Sequence, residues 1–186
     1  IFHVVFTGGE PLLNKNVLFR GLELAKEKNM TTGINSNLIP LTITDAHRLK
    51  KLGVPRMLTS LMGPTPEIHD ELANLQGAFS RTLKGIKLLQ DVGIKVDVNM
   101  VVSKKNKNYL RATAQLVKSL GIHHFNSTRA GCPGNCGDFG EYSLTLDEFR
   151  EYLSELHQVG IDEKIIVGVL ESYPLCAIKE VHRYKE

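Results

Sequence analysis

The stretch Val4-Val5-Phe6-Thr7-Gly8-Gly9-Glu10-Pro11-Leu12-Leu13 decides how the rest of the chain is read. Its opening, continued back to Ile1, is apolar and rich in β-branched residues, the composition of a strand buried on both faces. Gly8 and Gly9 let the backbone turn sharply and leave room for a ligand where a side chain would stand. Glu10 sets a carboxylate at the carboxyl end of that strand, and Pro11 ends the strand and withdraws one backbone donor. In an α/β barrel, ligands sit over the carboxyl ends of the strands. Gly8, Gly9 and Glu10 are therefore candidate binding residues. A glycine pair alone is a common turn signal, so the weight of the reading falls on the strand before it and the periodicity after it.

That periodicity alternates short apolar strands with amphipathic helices. Asn14 is expected to cap a helix through Lys28, with Val17, Leu18, Gly21, Leu22, Leu24 and Ala25 on its buried face. Met30 to Asn35 reads as a strand ending in the polar run Asn35-Ser36-Asn37, Thr44 opens a helix through Leu52, and Arg56 to Leu61 is the next strand. A long helix over 78–92 stops at Gly93. The clearest strand is Ile94 to Val102, on which Asp97, Asn99 and Val101 share one face. Tyr109 to Leu120 is helical and Ile122 to Asn126 is a fifth strand. Thr145 and Glu148 form a capping box for a helix through His157, and Lys164 to Leu170 is strand-like. One strand and one helix about every 30 residues is the size of a βαβ unit, which implies a parallel sheet, as a barrel or doubly wound.

Composition sets outer limits. With 186 residues, 42% hydrophobic and 23% charged, the chain has the make-up of a soluble globular domain. A net charge of +3 gives no argument for nucleic acid or an anionic membrane, and no apolar run has the length of a membrane span. The chain opens in mid-strand without an initiator Met, which reads as a fragment. Cys132, Cys136 and Cys176 make no even disulfide framework and read as cytosolic thiols or metal ligands, so the expected compartment is cytoplasmic. The histidines form no metal constellation: His123 and His124, adjacent in a strand, face opposite ways. The run Lys104-Lys105-Asn106-Lys107 reads as a solvated loop.

A strand followed by Thr-Gly-Gly-Glu-Pro-Leu resembles the radical S-adenosylmethionine enzymes, whose glycine-glycine-glutamate turn binds the methionyl amino group of the cofactor. The likeness continues through Pro66-x-Ile-His-Asp-Glu-Leu72, Gly77-Ala-Phe79 and the helix running into Val92-Gly93-Ile94, which are similar to the peptide-modifying members. It implies an α/β fold, a partial (β/α)6 barrel of parallel strands missing its first βα unit. Residues 1–142 would supply strands two to six, and 143–186 a helix–strand extension leading towards a SPASM auxiliary-cluster module, with Cys176 as its opening metal ligand. The resemblance assigns cofactor contacts to Gly8, Gly9, Glu10, Asn35, Ser36, Ser60 and Asn99. For Asn35 and Ser36 an Asx-type turn without ligand is an equal reading, and Asn99 could instead bond neighbouring backbone. Met62 stands where such members carry an acid after the third strand here, and an arginine expected after His69-Asp70 is missing.

The implied activity is reductive cleavage of S-adenosylmethionine at a 4Fe–4S cluster. The 5′-deoxyadenosyl radical so formed would abstract hydrogen from a peptide or small-molecule substrate, with electrons from a flavodoxin or ferredoxin. Auxiliary iron–sulfur clusters are implied by a SPASM module. Cluster ligation needs thiolates, yet Cys132-Pro-Gly-Asn-Cys136 has only the first spacing of Cys-x3-Cys-x2-Cys, its third position being Phe139. The cluster loop is expected upstream of Ile1. Two other readings stand beside this one: a phosphate-binding barrel lyase or isomerase, and a non-catalytic module derived from a barrel.

Overall fold

The computed structural model describes residues 2–132 and 139–170. Six strands lie in one sheet in chain order: β1 (His3–Phe6), β2 (Thr31–Asn35), β3 (Arg56–Ser60), β4 (Lys95–Val102), β5 (His124–Arg129) and β6 (Ile166–Val169). Pairing is parallel, His3 opposite Thr31 and Phe6 opposite Ile34, Ile34 opposite Met57, and His124 opposite Ile166. Parallel neighbours need long crossovers. The helices that supply them are α1 (Lys15–Glu27), α2 (Ile43–Lys51), α3 (Pro66–Ala73), α4 (Ala78–Asp91), α5 (Leu110–Ser119) and α6 (Leu146–Glu163). The α/β class and parallel sheet expected from the sequence are present, with β1 and β6 at the two ends of the strand order. Contacts divide the chain into two compact units, one of Ile1–Ser60 with Thr65–Val98, the other of Leu61–Pro64 with the residues from Asn99 onward.

In the first unit, β1 departs from expectation. Val5 is 47% exposed and no residue of the strand is fully buried, β1 standing first in the strand order of these residues. Phe6 is the exception in kind: its ring lies against Gly21 of α1, where an added Cβ would stand 2.5 Å from the ring edge. The buried stripe of α1 also differs, being Leu18, Phe19, Leu22 and Ala25, while Val17 and Leu24 face outward. Phe19 is capped by the Arg48 guanidinium, 4.1 Å above its ring. Helix α2 begins at Ile43, one residue before the expected Thr44, since Thr42 is its cap and closes a capping box with Asp45. Lys15 reaches the same carboxylate at 2.6 Å, and its ammonium helps to hold Asp45 below the ordinary range against the opposing effect of burial.

Helix α3 has no counterpart in the periodicity reading. Pro66 opens it, as proline does at a first helical turn, and Asn74 ends it in the left-handed region (φ 49°). Asp70 then does the work of a cap for α4, accepting from the N–H groups of Gly77 (2.6 Å) and Phe79 (2.7 Å). The Phe79 bond is the main cause holding Asp70 below the usual carboxylate range. His69 sits with its ring edge-on to Phe79, and burial pushes its pKa down. The His-Asp pair is thus part of the α3–α4 connection.

In the second unit, the Thr145–Glu148 capping box is present, but α6 runs to Glu163 and stops where Lys164 turns left-handed (φ 55°). Gly160 gives β6 room: a Cβ there would lie 2.8 Å from Val167. Tyr152 accepts a 2.9 Å bond from the buried Ser127 hydroxyl. The lysine run is not a free solvated loop. Lys104 donates to the Gly140 carbonyl, Lys107 pairs with Glu148 at 2.8 Å, and Asn106, fully buried, bonds Ser103, Val101 and Met62. The helix–strand pair after residue 143 adds β6 to the sheet beside β5.

Candidate functional site

The turn after β1 is built by its own residues. Gly8 and Gly9 take φ values of 92° and 52°, and a Cβ added at either would meet nothing within 4 Å. Both are exposed, so the backbone is open to solvent on the side a side chain would occupy. Glu10, extended at φ −124°, precedes a short 3-10 turn over Pro11–Leu13, and Pro11 suits that first position.

The Glu10 carboxylate is neither solvated nor lost in core. Oε1 accepts from the Leu12 N–H at 2.9 Å and from the Ser36 hydroxyl at 2.8 Å, and Oε2 accepts from the Asn37 N–H at 2.8 Å. Bonds to a charged acceptor are the stronger kind. A carboxylate offers about four lone-pair positions, so Oε1 is filled and Oε2 keeps one. This half-buried group therefore ties the β1 turn to the segment after β2 and presents one oxygen with acceptor capacity beside two residues without side chains.

The segment after β2 is equally determined. Ser36 is buried, donates its N–H to the Leu58 carbonyl, and accepts from the Leu38 N–H through its hydroxyl at 3.0 Å. Asn37 accepts from the Ile39 N–H at 2.9 Å. The polar run thus holds two side-chain-closed turns, made by Ser36 and Asn37, and Ser36 is also bonded to Glu10. Asn35 closes β2 half-buried, on the border of a concavity of about 480 Å³ lined by Thr31, Gly33, Arg56, Leu58 and Asp97 among others. Arg56 and Asp97 form a 2.7 Å ion pair there. Ser60 is the last residue of β3 and is half-buried.

Asn99 belongs to the second unit. It is buried, and its Oδ1 accepts from the Thr128 hydroxyl at 3.1 Å, so its partner is a side chain on β5 and not the neighbouring backbone. On β4 the residues Val96, Val98, Met100 and Val102 are the buried face, and Asp97, Asn99 and Val101 alternate with them. Cys136 and Cys176 lie outside the described residues. Cys132 is disulfide-bonded and so is not a free thiol in this structure. Among the described residues no group of three or more His, Cys, Asp and Glu is placed to hold a metal ion. Nor, among them, is any helix long and apolar enough to cross a membrane.

Two contributors had no sequence signal. The Asn37 backbone N–H is invisible in a side-chain pattern, and Thr82 of α4, 45 residues on, donates its hydroxyl to the Asn37 carbonyl at 3.0 Å.

Comparison with known proteins places the chain in a family. A family model described as the Radical SAM superfamily matches residues 1–117. The AdoMet-dependent heme synthase of Oleidesulfovibrio alaskensis is 26% identical over 151 residues, 81% of this chain and 39% of that protein. The antilisterial bacteriocin subtilosin biosynthesis protein AlbA of Bacillus subtilis is 35% identical over 104 residues, 56% of this chain and 23% of that protein. The chain spans about two fifths or less of the length of these relatives. Among solved structures, Streptococcus suis SuiB bound to its precursor peptide SuiA superposes with a TM-score of 0.79 at 17% identity, over 94% of this chain and 39% of that one, and SuiB has also been solved bound to S-adenosylmethionine. At that identity the likeness shows the fold alone.

Proposed function

Because the chain belongs to the radical SAM superfamily, whose members use S-adenosylmethionine and a 4Fe–4S cluster, we propose that the Gly8–Glu10 turn holds the methionyl ammonium of S-adenosylmethionine. One observation carries this. Glu10 Oε2 is fixed by the Asn37 N–H, keeps acceptor capacity, and stands beside two glycines whose side-chain positions are open. The donor set fits the group: an ammonium needs acceptors, and the turn supplies a carboxylate oxygen and accessible backbone.

When bound and given one electron, S-adenosylmethionine would supply radical hydrogen-abstraction chemistry, its C5′–S bond breaking with methionine as the leaving group. The chain's own part is orientation. Glu10 accepts from the ammonium, Gly8 and Gly9 let it approach the backbone, and Ser36 holds Glu10 in place. Asn35 and Ser60, at the ends of their strands, are assigned to polar groups of the same cofactor. Asn99, in the second unit, has its amide nitrogen left to donate because Oδ1 is taken by Thr128.

The cluster does not fit this chain. Its cysteine spacing fails at Phe139 and Cys132 is in a disulfide. In this reading the cluster thiolates are supplied from outside residues 1–186, Cys176 opens an auxiliary-cluster extension, and a flavodoxin or ferredoxin delivers the electron. The likeness to AlbA, a bacteriocin biosynthesis protein, supports a peptide as substrate, and the heme synthases keep a small molecule as the second reading. The test is anaerobic reconstitution of the intact protein with iron and sulfide, then reductant and S-adenosylmethionine. A visible iron–sulfur band with release of 5′-deoxyadenosine is expected. Reconstitution without band or nucleoside overturns the proposal.

A further inference from the structure

The Glu10 carboxylate is positioned from one side by its own turn and from the other by the segment Ser36–Leu41. That segment takes its shape from α4. The Thr82 hydroxyl, 1% exposed, donates to the Asn37 carbonyl at 3.0 Å. Leu38, 1% exposed and left-handed at φ 62°, lies directly against Gly85, where an added Cβ would stand 2.5 Å from Leu38 Cβ and 2.9 Å from its carbonyl oxygen. A left-handed leucine is costly in itself and persists where surroundings over-determine it. Here those surroundings are the Ser36 hydroxyl on its N–H and the bare helix surface at Gly85 under its side chain.

The Asn37 peptides are thus gripped at both ends: the N–H gives itself to Glu10 Oε2 and the C=O receives Thr82. Moving α4 by a few tenths of an ångström moves the N–H that aims Oε2, the oxygen with acceptor capacity to spare. We infer that Thr82 and Gly85 are positioning residues for S-adenosylmethionine, acting through Asn37 and Leu38 on the Glu10 carboxylate that meets its amino-acid end. This rests on the reading of the Gly8–Glu10 turn given above. Neither residue touches the cofactor, and neither belongs to the glycine-glycine-glutamate motif.

The test uses the intact reconstituted protein and equilibrium binding of two ligands, S-adenosylmethionine and 5′-deoxyadenosine, the second lacking the amino-acid end. Thr82→Val keeps shape and removes the donor; Thr82→Ser restores it; Gly85→Ala pushes on Leu38; Glu10→Gln is the reference. Thr82→Val should weaken S-adenosylmethionine about 3- to 10-fold, the value of one lost hydrogen bond, and leave 5′-deoxyadenosine unchanged. Thr82→Ser should recover the affinity, and combining Thr82→Val with Glu10→Gln should add little to Glu10→Gln alone. Equal weakening of both ligands means a general loss of fold and overturns the inference, as does unchanged affinity in Thr82→Val. If Thr82→Val does not fold, Gly85→Ala decides by the same selectivity for the amino-acid end. Loss of affinity in Glu10→Gln without loss in the α4 variants overturns this inference alone. No loss in Glu10→Gln sinks the reading of the turn and takes this inference with it.

Discussion

Replacing Glu10 by Gln keeps size and shape while removing the charge and half the acceptor capacity. In the wild type the carboxylate accepts three bonds, at 2.9, 2.8 and 2.8 Å. Gln can set its oxygen at the Oε1 position, retaining Leu12 N–H and Ser36 Oγ, but its amide then confronts the Asn37 N–H, donor against donor. The reverse orientation leaves the Leu12 N–H without its acceptor and is worse, although the Ser36 hydroxyl could turn. The cheaper arrangement loses one charge-assisted bond and weakens two to neutral ones. Such a loss costs about 2 kcal/mol once the half-exposed setting is allowed for. For a chain of this size that is a fall in Tm of roughly 4–8 °C. Thermal and urea unfolding of Glu10→Gln, Ser36→Ala and the double variant measure it. The double variant should lose less than the sum of the two, because both remove the same contact. An unchanged Tm in Glu10→Gln, or strict additivity, would refute the clamp and with it the claim that Oε2 is held in one place.

Thr59 carries the buried hydroxyl that has no hydrogen-bond partner among the described residues; Thr59→Val should raise stability by about 1 kcal/mol, read by denaturant midpoint. Gly21→Ala drives a methyl group to 2.5 Å from the Phe6 ring. The overpacking cost of about 1–3 kcal/mol exceeds the gain of about 1 kcal/mol in helix propensity, so the variant should be less stable, and adding Phe6→Leu should relieve it. Glu148 is drawn from its ordinary 4.5 down to about 2, first by the Lys107 ammonium and then by the Thr145 N–H. A lowered folded pKa gives stability that is complete above the ordinary value and is lost as pH falls towards the folded one. Lys107→Met should therefore flatten the acid-side loss between pH 4.5 and about 2, and carboxyl NMR titration of Glu148 should show its midpoint move up.

Much of this was legible along the chain. The strands around Arg56, Lys95 and His124 announced themselves by following glycine-ended helices, that around Thr31 by following the helix that Asn14 caps, and Thr145–Glu148 by a local rule of three residues. The misses have physical causes. Helix α3 is short and opens on a proline, so its turn-like sequence hides a helix whose stability comes from the Asp70 bonds to Gly77 and Phe79. The start of α2 was misplaced because Thr42 and Thr44 are equally good caps by composition, and Asp45 bonding back to Thr42 decides between them. β1 is only half-buried where it stands first in the strand order of these residues, and no residue in the strand encodes which neighbours it will have.

The 30-residue period was enough to set the class of fold, and the strand with its glycine pair, carboxylate and proline carried the resemblance that named the superfamily. They were enough because turn chemistry and hydrophobic period are local properties of a chain. What Glu10 does with its oxygens was decided by tertiary structure, since its partners Ser36 and Asn37 lie 26 and 27 residues away and the Thr82 that steadies them another 45 beyond Asn37. Hydrogen bonds over such spans depend on how closely α4 approaches the loop. Gly85 permits that approach by lacking a side chain, and a missing side chain shows what it makes room for only when its neighbour is seen.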